Sequence, residues 1–225
     1  NLFRSSIQNK QSVQMSEAEQ KKEGEQTEKE ESSNENEEED SIFKHIDEMR
    51  EKNPLIGAQL GAKAIYKVIF NAFRDPQGRL NAEILLFFMS SLAGMSCQMA
   101  AWESIREKHI SMELGMMQIQ TTIGKVYYMG NLLNFFLLKK PGSVVEVISS
   151  NYKQWFPNKD IPDLKKYLTS SVENIGRADY KIWGLISPFD MTESIKEVWD
   201  SFGHKLRKYC KSVEEWPLLF GFALM

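Results

Sequence analysis

Cysteine and histidine are scarce in this chain of 225 residues, with two of the first and three of the second. A small secreted scaffold would be far richer in cysteine, and Cys97 and Cys210 form neither a CxxC nor a Cys/His cluster. A structural zinc site is therefore excluded by spacing, and a reducing, cytoplasmic setting is expected. His45, His109 and His204 have no second ligand at a metal-binding interval; His45 and Glu48 lie three apart on one helical face, which is an ordinary surface pair. The chain also lacks Gly-x-Ser-x-Gly, a P-loop, a dinucleotide glycine fingerprint and HExxH. No cofactor or metal is implied. The opening Asn1-Leu2-Phe3-Arg4 has no long apolar core of the signal-peptide kind.

Apolar residues are missing from one region altogether. Residues 16–40 contain no aromatic and no Val, Ile or Leu, and residues 1–40 hold 12 acidic against 5 basic side chains, a net charge of −7. Nothing there repays the entropy of ordering, so residues 1–40 are expected to be a disordered acidic tail. Residues 41–225 carry 19 acidic and 23 basic side chains, net +4. They are enough for a single globular domain that buries roughly 70% of its unfolded surface without a disulfide or metal. Opposite signs would let the tail fold back on its body, although such contacts are screened beyond roughly 8 Å at physiological salt.

The periodicity of the body predicts a mainly α fold, α+β at the margin, of six or seven helices and one small β-hairpin. Ile42, Phe43, Ile46 and Met49 open it, and Asn53-Pro54 stops that segment. In the next helix Ile65, Val68, Ile69, Ala72 and Phe73 make an apolar stripe beside the small residues Gly57, Gly61 and Ala64. A turn at Asp75-Pro76-Gln77-Gly78 follows, and Asn81 can cap a long apolar helix. Ile84 to Trp102 is a run of 19 residues without a formal charge, long enough to span a bilayer. Ser90, Ser91, Ser96 and Gln98 dilute it, so a buried central helix is expected and a membrane is not. Ser90, Gly94, Cys97 and Ala101 share one narrow face, and the expectation is that this face packs on the Gly57/Gly61/Ala64 stripe at the centre of the domain.

Met117 to Met129 is rich in Ile, Thr, Val and Tyr around Ile123-Gly124 and reads as the hairpin. Alternation predicts that Tyr127 and Tyr128 face opposite ways, one in and one out. Ser143 and Glu146 fit a capping box ahead of a helix with Val144, Val145, Ile148, Tyr152 and Trp155 inward. Further helices are expected over 160–176 and from Asp190 to about Lys211, through Ile195, Val198, Trp199, Phe202 and Leu206. The final apolar stretch from Trp216 has no polar cap and suggests truncation or an end buried against a partner.

Candidate chemistry is thin. Cys97 would need a lowered pKa and access to act as a nucleophile, yet it lies among Met95 and Met99 inside a helix, which favours a buried structural thiol. A carboxylate pair such as Asp47 with Asp75 or Asp179 would have to be assembled in space. His204, Lys205, Lys208 and Lys211 form the best anion-binding candidate, with His204, Lys208 and Lys211 on one helical face. So few cations fall short of the six or more phosphate contacts common in nucleic-acid binders, and nucleic acid is not expected. Tyr127, Tyr128, Asn131 and Asn134 form the one local group that mixes aromatic and amide side chains, a candidate for a protein or small-molecule ligand.

Gly57-Ala58, Gly61-Ala62-Lys63-Ala64-Ile65-Tyr66, Asp75-Pro76-Gln77-Gly78, Ser91-Leu92-Ala93-Gly94-Met95-Ser96-Cys97-Gln98, Lys125-Val126-Tyr127-Tyr128-Met129-Gly130-Asn131 and Glu215-Trp216-Pro217-Leu218-Leu219-Phe220-Gly221 together span most of the body. On these residues the chain resembles a family of uncharacterised bacterial proteins. The resemblance implies a bacterial cytosolic protein with an individually added tail, and it carries over no activity or functional residue. The expected function is a noncatalytic binding or regulatory module working near the hairpin. Alternatives are an enzyme of unlisted type using Cys97 or a carboxylate pair, and a peripheral binder of anionic surfaces.

Overall fold

The computed structural model describes residues 41–121, 124–175, 177, 179–181 and 187–225. The tail expected over 1–40 and the turn residue Ile123 lie outside them. The chain groups into two compact units, Asn1–Glu48 and Met49–Met225. In the first, the described residues belong to helix α1 (41–49), which runs one residue past the boundary.

The second unit holds α2 (Ile56–Ala72), α3 (Ala82–Lys108), α4 (Met112–Gly115), the strands β1 (Met117–Gln120) and β2 (Val126–Met129), α5 (Asn131–Asn134), α6 (Val144–Trp155), α7 (Leu164–Asn174), α8 (Pro188–Tyr209) and α9 (Trp216–Ala223). A π-helical turn, Phe135–Lys139, follows α5, and a 3-10 turn, Val213–Glu215, precedes α9. The fold is mainly α with one antiparallel hairpin. There are more helices than the expected six or seven because α4 and α5 are single turns, too short to show a period.

Local chemistry sets most of the boundaries. Asn81 Oδ1 accepts from the Ile84 amide at 3.1 Å, and Ser187 Oγ caps α8 from the Asp190 amide at 3.2 Å with Pro188 in the first turn. Ser143 Oγ accepts from the Glu146 amide at 3.3 Å, as a capping box requires. The reciprocal arm differs: Glu146 Oε2 accepts from Gly142 N at 2.8 Å, because the Ser143 amide is already donated to Lys140 O.

The centre of the unit is α9 and not the expected pair of small-residue helices. α9 packs on α2, α3 and α6, and every residue of Trp216–Ala223 except Phe222 is buried. The stretch Trp216–Ala223 is thus covered by the chain's own helices. Gly57 and Gly61 serve this arrangement. A methyl built on Gly61 would come within 2.7 Å of Leu219 Cδ1 and 2.8 Å of Tyr209 Cβ, and one on Gly57 would overlap the Tyr209 carbonyl oxygen. Arg50 Nη2 donates to that same carbonyl at 2.5 Å and lies against Gly57. The α2 glycines therefore admit the end of α8 and the body of α9. Gly94, their expected partner, faces open space, and Ser90 is exposed with it. Phe73, just past the end of α2, does meet Phe88 of α3, with ring centroids 5.0 Å apart.

α3 is long and apolar enough to cross a membrane, and just over half of its most apolar stretch is buried inside the structure. Its covered residues include Leu85, Met89, Leu92, Ala93, Ser96, Ala100 and Ser104. Small side chains along that buried face leave room for α9. From α8, Met191, Ile195, Trp199 and Leu206 enter the core, with Trp199 against Trp216 at 5.9 Å and Phe220 at 6.1 Å. Val198 and Phe202 are half-buried.

Candidate interaction surface

Between Trp155 and Val172 the large apolar residues are left exposed. α6 docks its first half on α9, where Val144 Cα and Val147 Cβ lie 3.5 and 3.6 Å from a methyl built on Gly221. Trp155, expected inward, is 74% exposed. Phe156 stacks loosely on Tyr152 at 5.2 Å and takes Lys159 Nζ over its ring at 4.9 Å. Lys153 Nζ donates to Lys159 O at 2.7 Å, which fixes the turn. Asp163 Oδ1 then caps α7 by accepting from Lys165 N at 3.0 Å.

α7 is amphipathic yet buries none of its residues. Leu164, Tyr167, Leu168 and Val172 fall on one side at three- and four-residue intervals, and Lys165, Lys166, Thr169 and Glu173 on the other. Tyr167 and Val172 are each 63% exposed. A helix with this pattern ordinarily hides its apolar arc. Here the residues of that arc are exposed, as are Trp155 and Phe156 ahead of it in the chain.

The hairpin group is arranged differently. Gln118 opposes Tyr128 and Ile119 opposes Tyr127 in the register. Both tyrosines are half-buried, not one in and one out, because β2 has neighbours on each face: Trp102 meets Tyr128 edge-on at 5.8 Å, and Asp190 lies on the side of Tyr127 and Lys125. Burial, with a smaller contribution from the Asp190 charge, raises the Tyr127 phenol above its ordinary value. Asn131 and Asn134 sit at the exposed ends of α5. Gly130 introduces that turn at φ 154°, and a Cβ there would meet Gly115 O at 2.6 Å.

His204, Lys205 and Lys208 are exposed on the last turns of α8. Lys211 does not share their helical face, since α8 ends at Tyr209 and Cys210 is extended; its amide donates to Glu215 Oε2 at 3.2 Å. Cys97 is 2% exposed, and burial pushes its thiol up to about 12; Cys210 is raised likewise. Neither thiol ionises near neutral pH. Asp75 is engaged by its own turn, accepting from the Gln77 and Arg79 amides and pairing with Arg79 Nε at 2.8 Å. Asp179 pairs with Arg177 at 3.3 Å. No group of three or more metal-ligating side chains occurs among the described residues.

One polar cluster has no signal in the sequence. Glu214 accepts from Ser104 Oγ at 3.0 Å and Lys108 Nζ at 2.6 Å, and Lys140 Nζ lies 3.6 Å away. The Lys108 hydrogen bond is the main reason that the Glu214 carboxyl sits below its ordinary value. Its members are 106 residues apart in the case of Lys108, too far for any local spacing rule to join them. The cluster ties the end of α3 and the π-helical turn to the approach to α9.

No protein-family model, curated protein or solved structure matches this chain.

Proposed function

We propose that this protein is a noncatalytic binding module of the cytoplasm that receives a partner protein with an apolar face on a ridge of Trp155, Phe156 and α7. The observation that carries this reading is that α7 buries none of its residues and leaves Tyr167 and Val172 mostly exposed. Contiguous exposed apolar surface is a mark of docking sites, and Trp and Tyr are over-represented among the residues that dominate binding energy. The hairpin tyrosines are the weaker alternative, because Tyr128 is already engaged by Trp102 and both are half-buried. The buried, protonated thiols argue against the cysteine-nucleophile alternative.

The test replaces Trp155, Tyr167 and Val172 together by serine. All three are mostly exposed, so each change should alter stability by no more than about 0.5 kcal/mol. A photo-crosslinker at Leu168 should trap a discrete partner in cells, and the triple variant should lose it. A core-sized loss of stability, or the same crosslinked partner in both proteins, would refute the proposal. Attachment to lipid vesicles abolished by the same substitutions would assign the ridge to a membrane surface instead.

A further inference from the structure

A separate feature, independent of the ridge, lies on the outer side of the hairpin. All four residues of β1 are exposed, Met117 at 51% and Ile119 at 37%. Natural edge strands are usually blunted by lysine, proline or a bulge. Residues 116–121, Met-Met-Gln-Ile-Gln-Thr, contain neither a charge nor a proline.

The hydrogen-bond alternation shows which backbone groups are open. Thr121 N donates to Lys125 O at 2.8 Å, so this pair is of the hydrogen-bonded kind. With strict alternation along the register, Ile119 with Tyr127 and Met117 with Met129 are of the same kind. The amides and carbonyls of Gln118 and Gln120 then point away from β2. Among the described residues, no backbone hydrogen bond beyond the β1–β2 pair engages either residue.

We propose that β1 binds β1 of a second copy of this chain, antiparallel, about a twofold axis through Ile119. Gln118-Ile119-Gln120 reads the same in both directions. A twofold at Ile119 therefore sets Gln118 against Gln120 of the second copy on both sides, matching outward amides to outward carbonyls. Ile119 faces its own equivalent as a non-hydrogen-bonded pair, the geometry that brings side chains closest. No like charges oppose one another because the strand has none. A twofold through Gln118 is poorer, because it would recruit Met116, which is 1% exposed and whose amide is donated to Met112 O. The twofold closes after two copies and leaves a four-stranded sheet in place of a lone hairpin, which by itself is marginal.

The interface is small, so association should be weak and concentration-dependent. Sedimentation of the full chain should show monomer passing to dimer as concentration rises, and Ile119→Lys should hold it monomeric. Cysteine pairing tests the register directly. Residues opposed in a non-hydrogen-bonded pair have Cα atoms about 4.5 Å apart, within reach of a disulfide. Ile119→Cys alone should crosslink under mild oxidation at least ten times faster than Gln118→Cys or Gln120→Cys alone, while a mixture of those two should crosslink with each other. Native Cys97 and Cys210 are buried and do not compete. A chain that stays monomeric at high concentration, a dimer that survives Ile119→Lys, equal crosslinking at 118 and 119, or open-ended polymers would overturn the proposal. Should Ile119→Lys fail to fold, the cysteine variants decide the matter alone.

Discussion

Gly61 and Gly94 both lie inside helices, and the same substitution should affect them with opposite sign. Changing either to alanine gains about 1 kcal/mol of helix propensity. At Gly94 nothing lies within 4 Å of the added methyl, so that gain should appear as stabilisation. At Gly61 the methyl would stand 2.7 Å from Leu219 Cδ1 and 2.8 Å from both Cβ and Cγ of Tyr209. A Cβ is not tolerated at such distances, and pushing α9 or the end of α8 outward should cost about 1–3 kcal/mol in overpacking. The propensity gain is common to both variants and cancels in their difference. That difference, about 1–3 kcal/mol, therefore measures the packing alone. In a domain of this size it separates the two melting temperatures by roughly 2–12 °C. Urea unfolding of Gly61→Ala, Gly94→Ala and the parent, with matching m-values, would supply the free energies. If α2 and α3 instead packed through facing glycines, both variants would lose stability together. That result would refute the placement of α9 between them.

Two further outcomes follow from the buried titratable groups. Cys97 and Cys210 ionise near 12 in the folded chain, whereas an unfolded thiol titrates near 9. The folded state thus holds its protons longer, and each thiol should subtract about 1.4 kcal/mol of stability per pH unit as pH rises from about 9 toward 12. A Cys97→Ala/Cys210→Ala variant should show a correspondingly flatter decline in alkaline unfolding curves, and an unchanged slope would contradict the burial of these thiols. For Glu214 the sign reverses, because its folded carboxyl is depressed by Lys108 and Ser104. Its contribution is present above the ordinary glutamate pKa and is lost as pH falls below it. Glu214→Gln should cost about 1 kcal/mol at neutral pH, after allowance for its partial exposure, and the gap between the two proteins should close as pH falls through and below the ordinary glutamate range. A constant gap down to low pH would mean that shape and not charge holds that cluster.

Much of the local structure was legible in the residues themselves. Asn81, Ser143 and Asp75-Pro76-Gln77-Gly78 act within a few positions of themselves, so their caps and turn can be read before any contact is known. The hairpin was legible from β-branched and aromatic residues around Gly124, for the same reason. The faces were harder. Trp155 continues the apolar period of α6, and period alone cannot tell that it is left exposed. Tyr127 and Tyr128 alternate as expected, but alternation does not reveal that a strand is covered from both sides. Lys211 leaves the predicted face because the helix ends at Tyr209, two residues before it.

The candidate surface follows the same division. The amphipathic pattern of α7 is written in Leu164, Leu168 and Val172, and an apolar arc normally predicts burial. Only the fold places that arc where nothing described covers it. Sequence by itself determined which of the longer segments are helical, where some of them are capped, and which side of each is apolar, since these depend on neighbours a turn away. Tertiary structure decided that Gly57 and Gly61 receive Tyr209 and Leu219, and that Glu214 gathers Ser104, Lys108 and Lys140. One apolar face fits many others about equally well in kind. The choice among them is made by shape and by the simultaneous packing of the whole chain.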